Sequence, residues 1–110
     1  MELGTFSISL AVNDLAASHR FYETIGFSTI DGDGKSWVLV ANGAAKIGLF
    51  HGLLESNIIT FNPPNARAIE KTLKDAGWPL VAPTEGKTGP THFLLTDPDG
   101  NTLMFDQHGE

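Results

Sequence analysis

The chain contains no cysteine. Disulfides, thiolate nucleophiles and cysteine-held metals are therefore excluded. Positive charge is scarce too: seven Lys and Arg stand against thirteen Asp and Glu, for a net charge of −6 at pH 7. The acids are scattered rather than gathered in a run. Their field repels nucleic acid and anionic membrane, so neither is an expected partner, and it mildly favours neutral or cationic small ligands. Long apolar runs are missing, none approaching the roughly 20 residues that a bilayer-spanning helix needs. Met1-Glu2-Leu3-Gly4 carries neither a basic stretch nor an apolar segment, so no secretory signal is expected and a cytoplasmic location is the default. What remains is 110 residues, 41% of them apolar: enough for one domain, but marginal if divided between two independent cores.

The most informative stretch is Thr91 to His108, where two alternating apolar runs flank Asp97-Pro98-Asp99-Gly100-Asn101. Pro98 presets φ for a turn, Asp97 can accept backbone N–H bonds, and Gly100 tolerates positive φ. A β-hairpin is expected. Its second strand alternates Leu103 and Phe105 on a core face with Thr102, Met104, Asp106 and His108 on a polar one.

Taken in order, Thr5 to Val12 reads as a strand with a core face of Phe6, Ile8, Leu10 and Val12. Asp14 is an N-cap for a helix over Leu15 to Ile25, whose Leu15, Phe21, Tyr22 and Ile25 fall roughly on one face, and Gly26 closes it. Strands follow at Phe27–Ile30, Ser36–Ala41 and Ala45–Phe50, with an Asn42-Gly43 hairpin turn between the last two. The pattern then restarts. Asn57–Phe61 is strand-like, Asn65 caps a helix in which Ala66, Ile69, Leu73 and Ala76 share a face, and Gly77 closes it. Trp78–Val81 is expected as a strand and Pro83–Pro90 as a loop before the hairpin. Ile25-Gly26-Phe27 and Ala76-Gly77-Trp78 repeat the same helix-to-strand junction half a chain apart. The expected fold is α+β: two βαβββ modules, about 1–53 and 54–110, forming one domain with a curved mixed sheet around a cleft and both helices outside.

Val12-Asn13-Asp14-Leu15, Phe21-Tyr22-Glu23-Thr24-Ile25-Gly26-Phe27 and Asp97-Pro98-Asp99-Gly100-Asn101 together resemble the vicinal oxygen chelate superfamily, which includes glyoxalase I, extradiol dioxygenases and bleomycin- and fosfomycin-resistance proteins. The resemblance spans essentially the whole chain and implies paired βαβββ modules. It also implies a metal held by His, Glu or Gln from the first and fourth strands of each module. At the matching positions this chain has Ser7, Gly48, Asn57 and Met104. Zinc, nickel or iron needs imidazole or carboxylate, and a hard divalent ion needs charged oxygen donors; these four residues offer neither. No metal and no other cofactor is expected.

His92, Asp106 and His108 form the one plausible polar cluster, since His51 has the opposite parity and His19 lies on a helix. Three readings stand for it: solvent-facing strand ends, a His108–Asp106 pair for ligand binding or proton transfer, or a displaced metal site. Phe61 is assigned to the core, whereas Phe50 and Trp37 are candidates for a stacking wall, with Gly48 either leaving room beside Phe50 or letting the sheet bend. Lys71 and Lys74 beside Glu70 and Asp75 read as a solvated helix face.

Two functions follow. One is a metal-free module that sequesters a small organic molecule in the cleft, as the resemblance to bleomycin-resistance proteins implies, with Ser7, Ser9, Trp37, Gly48, Phe50, Asn57, Met104, Asp106 and His108 as the ligand-binding set. The other is a glyoxalase-like lyase or isomerase, working through His108, Asp106 and His92 or through a metal with displaced ligands. A homodimer is expected, partly from the resemblance and partly because curved half-sheets leave edges and apolar rims exposed.

Overall fold

The structure, a computed structural model, describes residues 1–109. Among them are seven strands and two helices: β1 (Thr5–Ala11), α1 (Leu15–Thr24), β2 (Ser28–Gly32), β3 (Trp37–Asn42), β4 (Ala45–Phe50), β5 (Ile58–Asn62), α2 (Ala66–Asp75), β6 (Thr91–Thr96) and β7 (Thr102–Gln107). The class is α+β with mixed strand pairing, as expected. The chain divides into two compact units, Ser7–Ile58 and Met1–Phe6 together with the chain from Ile59 onward.

In the Ser7–Ile58 unit the strand order is β2-β3-β4-β1. β1 runs parallel to β4 from Ile8↔Ile47 to Ala11↔Phe50, and β3 pairs antiparallel with β4 from Trp37↔Phe50 to Asn42↔Ala45. Asp14 caps α1 by accepting from the Ala17 N–H at 3.0 Å, a bond worth about 1 kcal/mol of helix stability. Leu15, Val38, Val40 and Leu49 are buried, with Leu10, Val12, Tyr22, Phe27 and Ile47 packed around them. Each such burial stabilises by roughly 1.5–3 kcal/mol. Leu10 therefore points at the helix, as its alternation requires. The expected apolar face of α1 needs correction: Leu15 and Tyr22, seven apart, share the core stripe, while Phe21 and Ile25 are 60% and 56% exposed. At about 100° per residue, positions 21 and 25 fall one stripe away from 15 and 22.

In the other unit β7 lies between β5 and β6. β6 and β7 pair from Thr91↔Gln107 to Thr96↔Thr102 around the expected turn. Asp97 Oδ1 accepts from the Asp99 and Asn101 N–H groups, and Oδ2 from the Asn101 side chain at 2.8 Å. α2 begins at Asn65, whose side chain accepts from Ala68 N–H. Ala66 and Ile69 pack on Phe93, Leu95 and Phe105, with Leu73, Phe61 and Leu103 alongside, so Phe61 is a core residue.

One expected strand is absent. Trp78–Val81 does not pair as a strand; a single antiparallel bridge joins Ala82 to Leu94. The Val81 and Ala82 N–H groups both donate to the Leu94 carbonyl. Pro79 lies within the segment and Pro83 just beyond it, and a proline has no N–H to extend a ladder. A second correction concerns Glu70, which is 7% exposed rather than solvated. Its carboxylate accepts from the Thr84 N–H at 2.7 Å and the Thr84 hydroxyl at 2.6 Å.

Candidate functional site

Core residues on β1, β3 and β4 occupy alternate positions, so the intervening ones face away from α1. On this helix-free face of the Ser7–Ile58 unit stand Ser7, Ser9 and Ala11 from β1, Trp37 and Leu39 from β3, and Lys46, Gly48 and Phe50 from β4. The ladder fixes their neighbours: Gly48 sits between Ser9 and Leu39, and Trp37 is opposite Phe50. The Trp37 and Phe50 rings are parallel to within 6°, with centroids 6.0 Å apart. Gly48 does not leave the open room anticipated beside Phe50. The Phe50 ring lies over it, so that a Cβ at position 48 would meet Phe50 Cε2 at 2.6 Å. The result is an apolar floor of Trp37, Leu39 and Phe50, with half-buried Ser7 on the β1 side and Ser9 buried.

A turn holds Trp37 in place. Asp33 Oδ1 accepts from the Lys35, Ser36 and Trp37 N–H groups at 2.8, 2.8 and 3.1 Å, and Oδ2 accepts from the Ser36 hydroxyl at 2.6 Å. Those bonds, the Ser36 hydroxyl foremost, hold the Asp33 carboxyl far below the usual carboxylate range. Asp33 is a functional residue that strand and helix periodicity does not mark; its spacing of three to Ser36 is the available signal.

The metal implied by the resemblance does not fit these residues. Gly48 has no donor and is covered by the Phe50 ring. Asn57 lies one residue before β5, not within it, and its Oδ1 accepts from the Ala11 N–H at 2.9 Å. Ser7 offers a neutral hydroxyl. Met104, in the other unit, faces away from the core on β7 opposite Leu94 and offers a thioether. Such a set lacks the charge that offsets desolvation of a divalent ion. Among the described residues no group of three or more His, Cys, Asp and Glu side chains is placed to hold a metal.

In the unit that contains the hairpin, His108 and Asp106 do meet: Nε2 and Oδ2 are 3.0 Å apart. The carboxylate oxygen accepts in that contact when the imidazole carries a proton on Nε2. Asn62 Nδ2 donates to the Asp106 carbonyl at 2.9 Å and lies 3.4 Å from the imidazole. His92 is paired with Asp106 in the ladder and shares its face, but it is exposed and makes no side-chain hydrogen bond among the described residues. The cluster is therefore a dyad with a neighbour, not a triad. A separate cavity of about 180 Å³ on the helix side of this unit is lined by Leu73, Trp78, Leu95, Leu103 and Phe105 beside the hairpin turn, and it contains none of the expected site residues.

No protein-family model matches the sequence, and no curated protein matches it. Solved structures do match. A glyoxalase/bleomycin resistance protein/dioxygenase superfamily member from Vibrio splendidus 12B01 superposes with a TM-score of 0.72, at 18% identity, over 93% of this chain and 96% of its own. A protein described as an NAD-dependent benzaldehyde dehydrogenase from Legionella pneumophila gives 0.76 at 16% identity, over 94% and 98%. Methylmalonyl-CoA epimerase from Mycobacterium tuberculosis gives 0.67 at 16% identity, over 99% and 89%. The fold is thus the vicinal oxygen chelate fold that the sequence motifs implied. The differing names attached to these structures show how little the fold alone says about activity.

Proposed function

We propose that this protein is a metal-independent binder of a small organic molecule, built on the glyoxalase/bleomycin-resistance type of fold. The ligand lies on the helix-free face of the Ser7–Ile58 unit. The observation that carries this reading is the Phe50 ring lying over Gly48 and parallel to Trp37, which puts an aromatic floor where the resemblance implies a metal ligand. A flat apolar surface edged by a few polar groups suits an organic ligand through stacking and burial. Ser7 supplies the polar edge, Ser9 beside it being buried, and Asn57 fixes the end of β1 through its bond to Ala11.

The test is metal analysis of protein purified without chelator, followed by a thermal-shift screen of metabolites and antibiotics. Metal content far below one equivalent, together with a stabilising organic hit whose effect Phe50→Ala abolishes, is the expected result. Near-stoichiometric zinc, nickel, iron or manganese lost on replacing Asn57 or Met104 overturns it. Gly48→Glu would not by itself restore a metal ligand, since the new side chain must first displace the Phe50 ring.

The His108–Asp106 contact favours a second reading, in which the dyad transfers a proton on a bound substrate, as in a lyase or isomerase. Methylmalonyl-CoA epimerase among the solved structures lends that reading its reaction class. Without a metal, proton abstraction beside a carbonyl forgoes electrostatic help worth several kcal/mol, so binding without chemistry is preferred. Conversion of the bound ligand that His108→Asn abolishes would reverse that preference.

A further inference from the structure

Among the described residues, Lys46 is the cation that the strands place on the helix-free face of the Ser7–Ile58 unit, and its position defines the ligand class. Lys46 lies on β4 two residues before Gly48, on the same face as Phe50. Its ladder partner on β3 is Ala41, and on the other side Ser7 lies alongside, one step before the Ile8↔Ile47 pair. Neither neighbour is acidic, and Lys46 joins no ion pair among the described residues. Gly48 lies between Lys46 and Phe50, so the ring over Gly48 extends along β4 in the direction of Lys46. Residues two apart in a strand are separated by about 7 Å, so the Phe50 ring over Gly48 lies about one such step along β4 from Lys46, while the backbone of Phe50 itself is about 13 Å from it. The nearest acid on this face is Asp31, paired with Leu39 on the far side of β3, roughly 10 Å from Gly48 across two strand spacings, with Oδ1 already accepting from Gly32 N–H.

We propose that this face takes a ring-bearing organic carboxylate, its ring on Phe50 and Trp37 and its carboxylate at Lys46. The inference rests on the binding role proposed above for the same face, and it runs against the preference for neutral or cationic ligands that the net charge of −6 suggests. Local chemistry decides here. A half-buried lysine on the same face as the apolar floor can meet an anion at contact distance, whereas the scattered acids act through solvent and are screened beyond about 10 Å at 0.1 M salt.

Three probes share one ring and differ in charge: 3-phenylpropionate, 3-phenylpropionamide and 3-phenylpropylamine. Of the two tryptophans, Trp78 lies outside this face, so Trp78→Phe leaves Trp37 as a fluorescent reporter on the floor itself. The acid is expected to bind about fivefold to tenfold tighter than the amide, with the amine weakest and the acid's advantage shrinking in high salt. In Lys46→Met the acid and the amide become equal while amide affinity is kept, and Lys46→Arg retains the preference. Equal binding of all three by the unmodified protein, tightest binding of the amine, or a preference that survives Lys46→Met overturns the carboxylate inference while leaving an aromatic binding face in place. Failure of all three probes to quench Trp37 removes both.

Discussion

Two aspartates do for the backbone what longer secondary structure would otherwise do. Asp33 and Asp97 each collect several hydrogen bonds from their own turn, and both carboxyls are held below the usual carboxylate range. For Asp33 the Ser36 hydroxyl contributes most, ahead of the backbone N–H groups; for Asp97 the Asn101 side chain leads. A folded-state pKa lower than the unfolded one means the charged form is favoured by folding. The resulting stability is fully present above the ordinary carboxylate range near pH 4, and it is lost as pH falls through the lower folded values. Thermal melts from pH 7 to pH 2 should therefore show a loss beginning below about pH 4. Asp33→Ala should melt lower than the unmodified protein at neutral pH, with the gap narrowing in acid. A gap that stays constant across that range would mean the carboxylate's charge is irrelevant to the turn. Because the same carboxylate fixes the Trp37 N–H, this residue links a local turn to the aromatic floor.

At the scale of elements, α2 acts as a clamp on the loop from Pro83 to Pro90. Arg67 donates to the carbonyls of Glu85, Gly86, Thr88 and Gly89, at 2.7 to 3.2 Å, while buried Glu70 takes both Thr84 donors. A guanidinium is suited to this because its fork of N–H groups can reach several acceptors at once. Thr84→Val strands part of a buried carboxylate and should cost about 1–3 kcal/mol in urea unfolding. Arg67→Met should instead raise amide exchange across residues 84–89 with α2 itself unchanged. Equal exchange in that loop would show that the prolines and Glu70 hold it without the arginine. This clamp was not legible in the sequence. Helical periodicity placed Ile69 and Leu73 correctly, but Glu70 lies next to the apolar stripe, and only the loop folding back over it decides that it is buried. Caps and turns were legible, since Asp14, Asn65 and Asp97 act on neighbours within four residues. Trp78–Val81 has the composition of a strand, but Pro79 within it and Pro83 after Ala82 limit pairing to the one bridge at Ala82. Strand parity placed Ser7 and Ser9 opposite the core face of β1 and Phe50 on the face it shares with Gly48, whereas His108 lies one residue beyond the end of β7. The path of the Phe50 ring over Gly48 is a rotamer choice that alternation does not encode.

For the whole molecule the open question is self-association, and two surface properties bear on it in opposite directions. Phe21, Ile25 and Ile30 are 60%, 56% and 52% exposed, all within the Ser7–Ile58 unit, and large exposed side chains of this kind mark interaction surfaces when they lie together. β2 is an outer strand of its sheet, yet its register shifts between Thr29 and Asp31, and Asp31 and Gly32 follow. A bulged, acid-bearing edge resists open-ended strand addition, which leaves the apolar side chains of α1 as the better surface for a closed pair. Against this, each chain carries a net charge of −6, so two copies repel one another at low ionic strength. We propose a homodimer that buries Phe21 and Ile25, and the two terms give it a distinct signature. Light scattering at micromolar concentration should report two chains, with the dimer strengthened by added salt, because screening weakens the repulsion and leaves the apolar contact intact. Phe21→Ser with Ile25→Ser should give the mass of one chain. Carboxylate binding at Lys46 should respond to salt in the opposite sense, so a single titration of salt separates the two surfaces. A one-chain mass for the unmodified protein at every salt concentration would show that these side chains are exposed without a partner of their own kind.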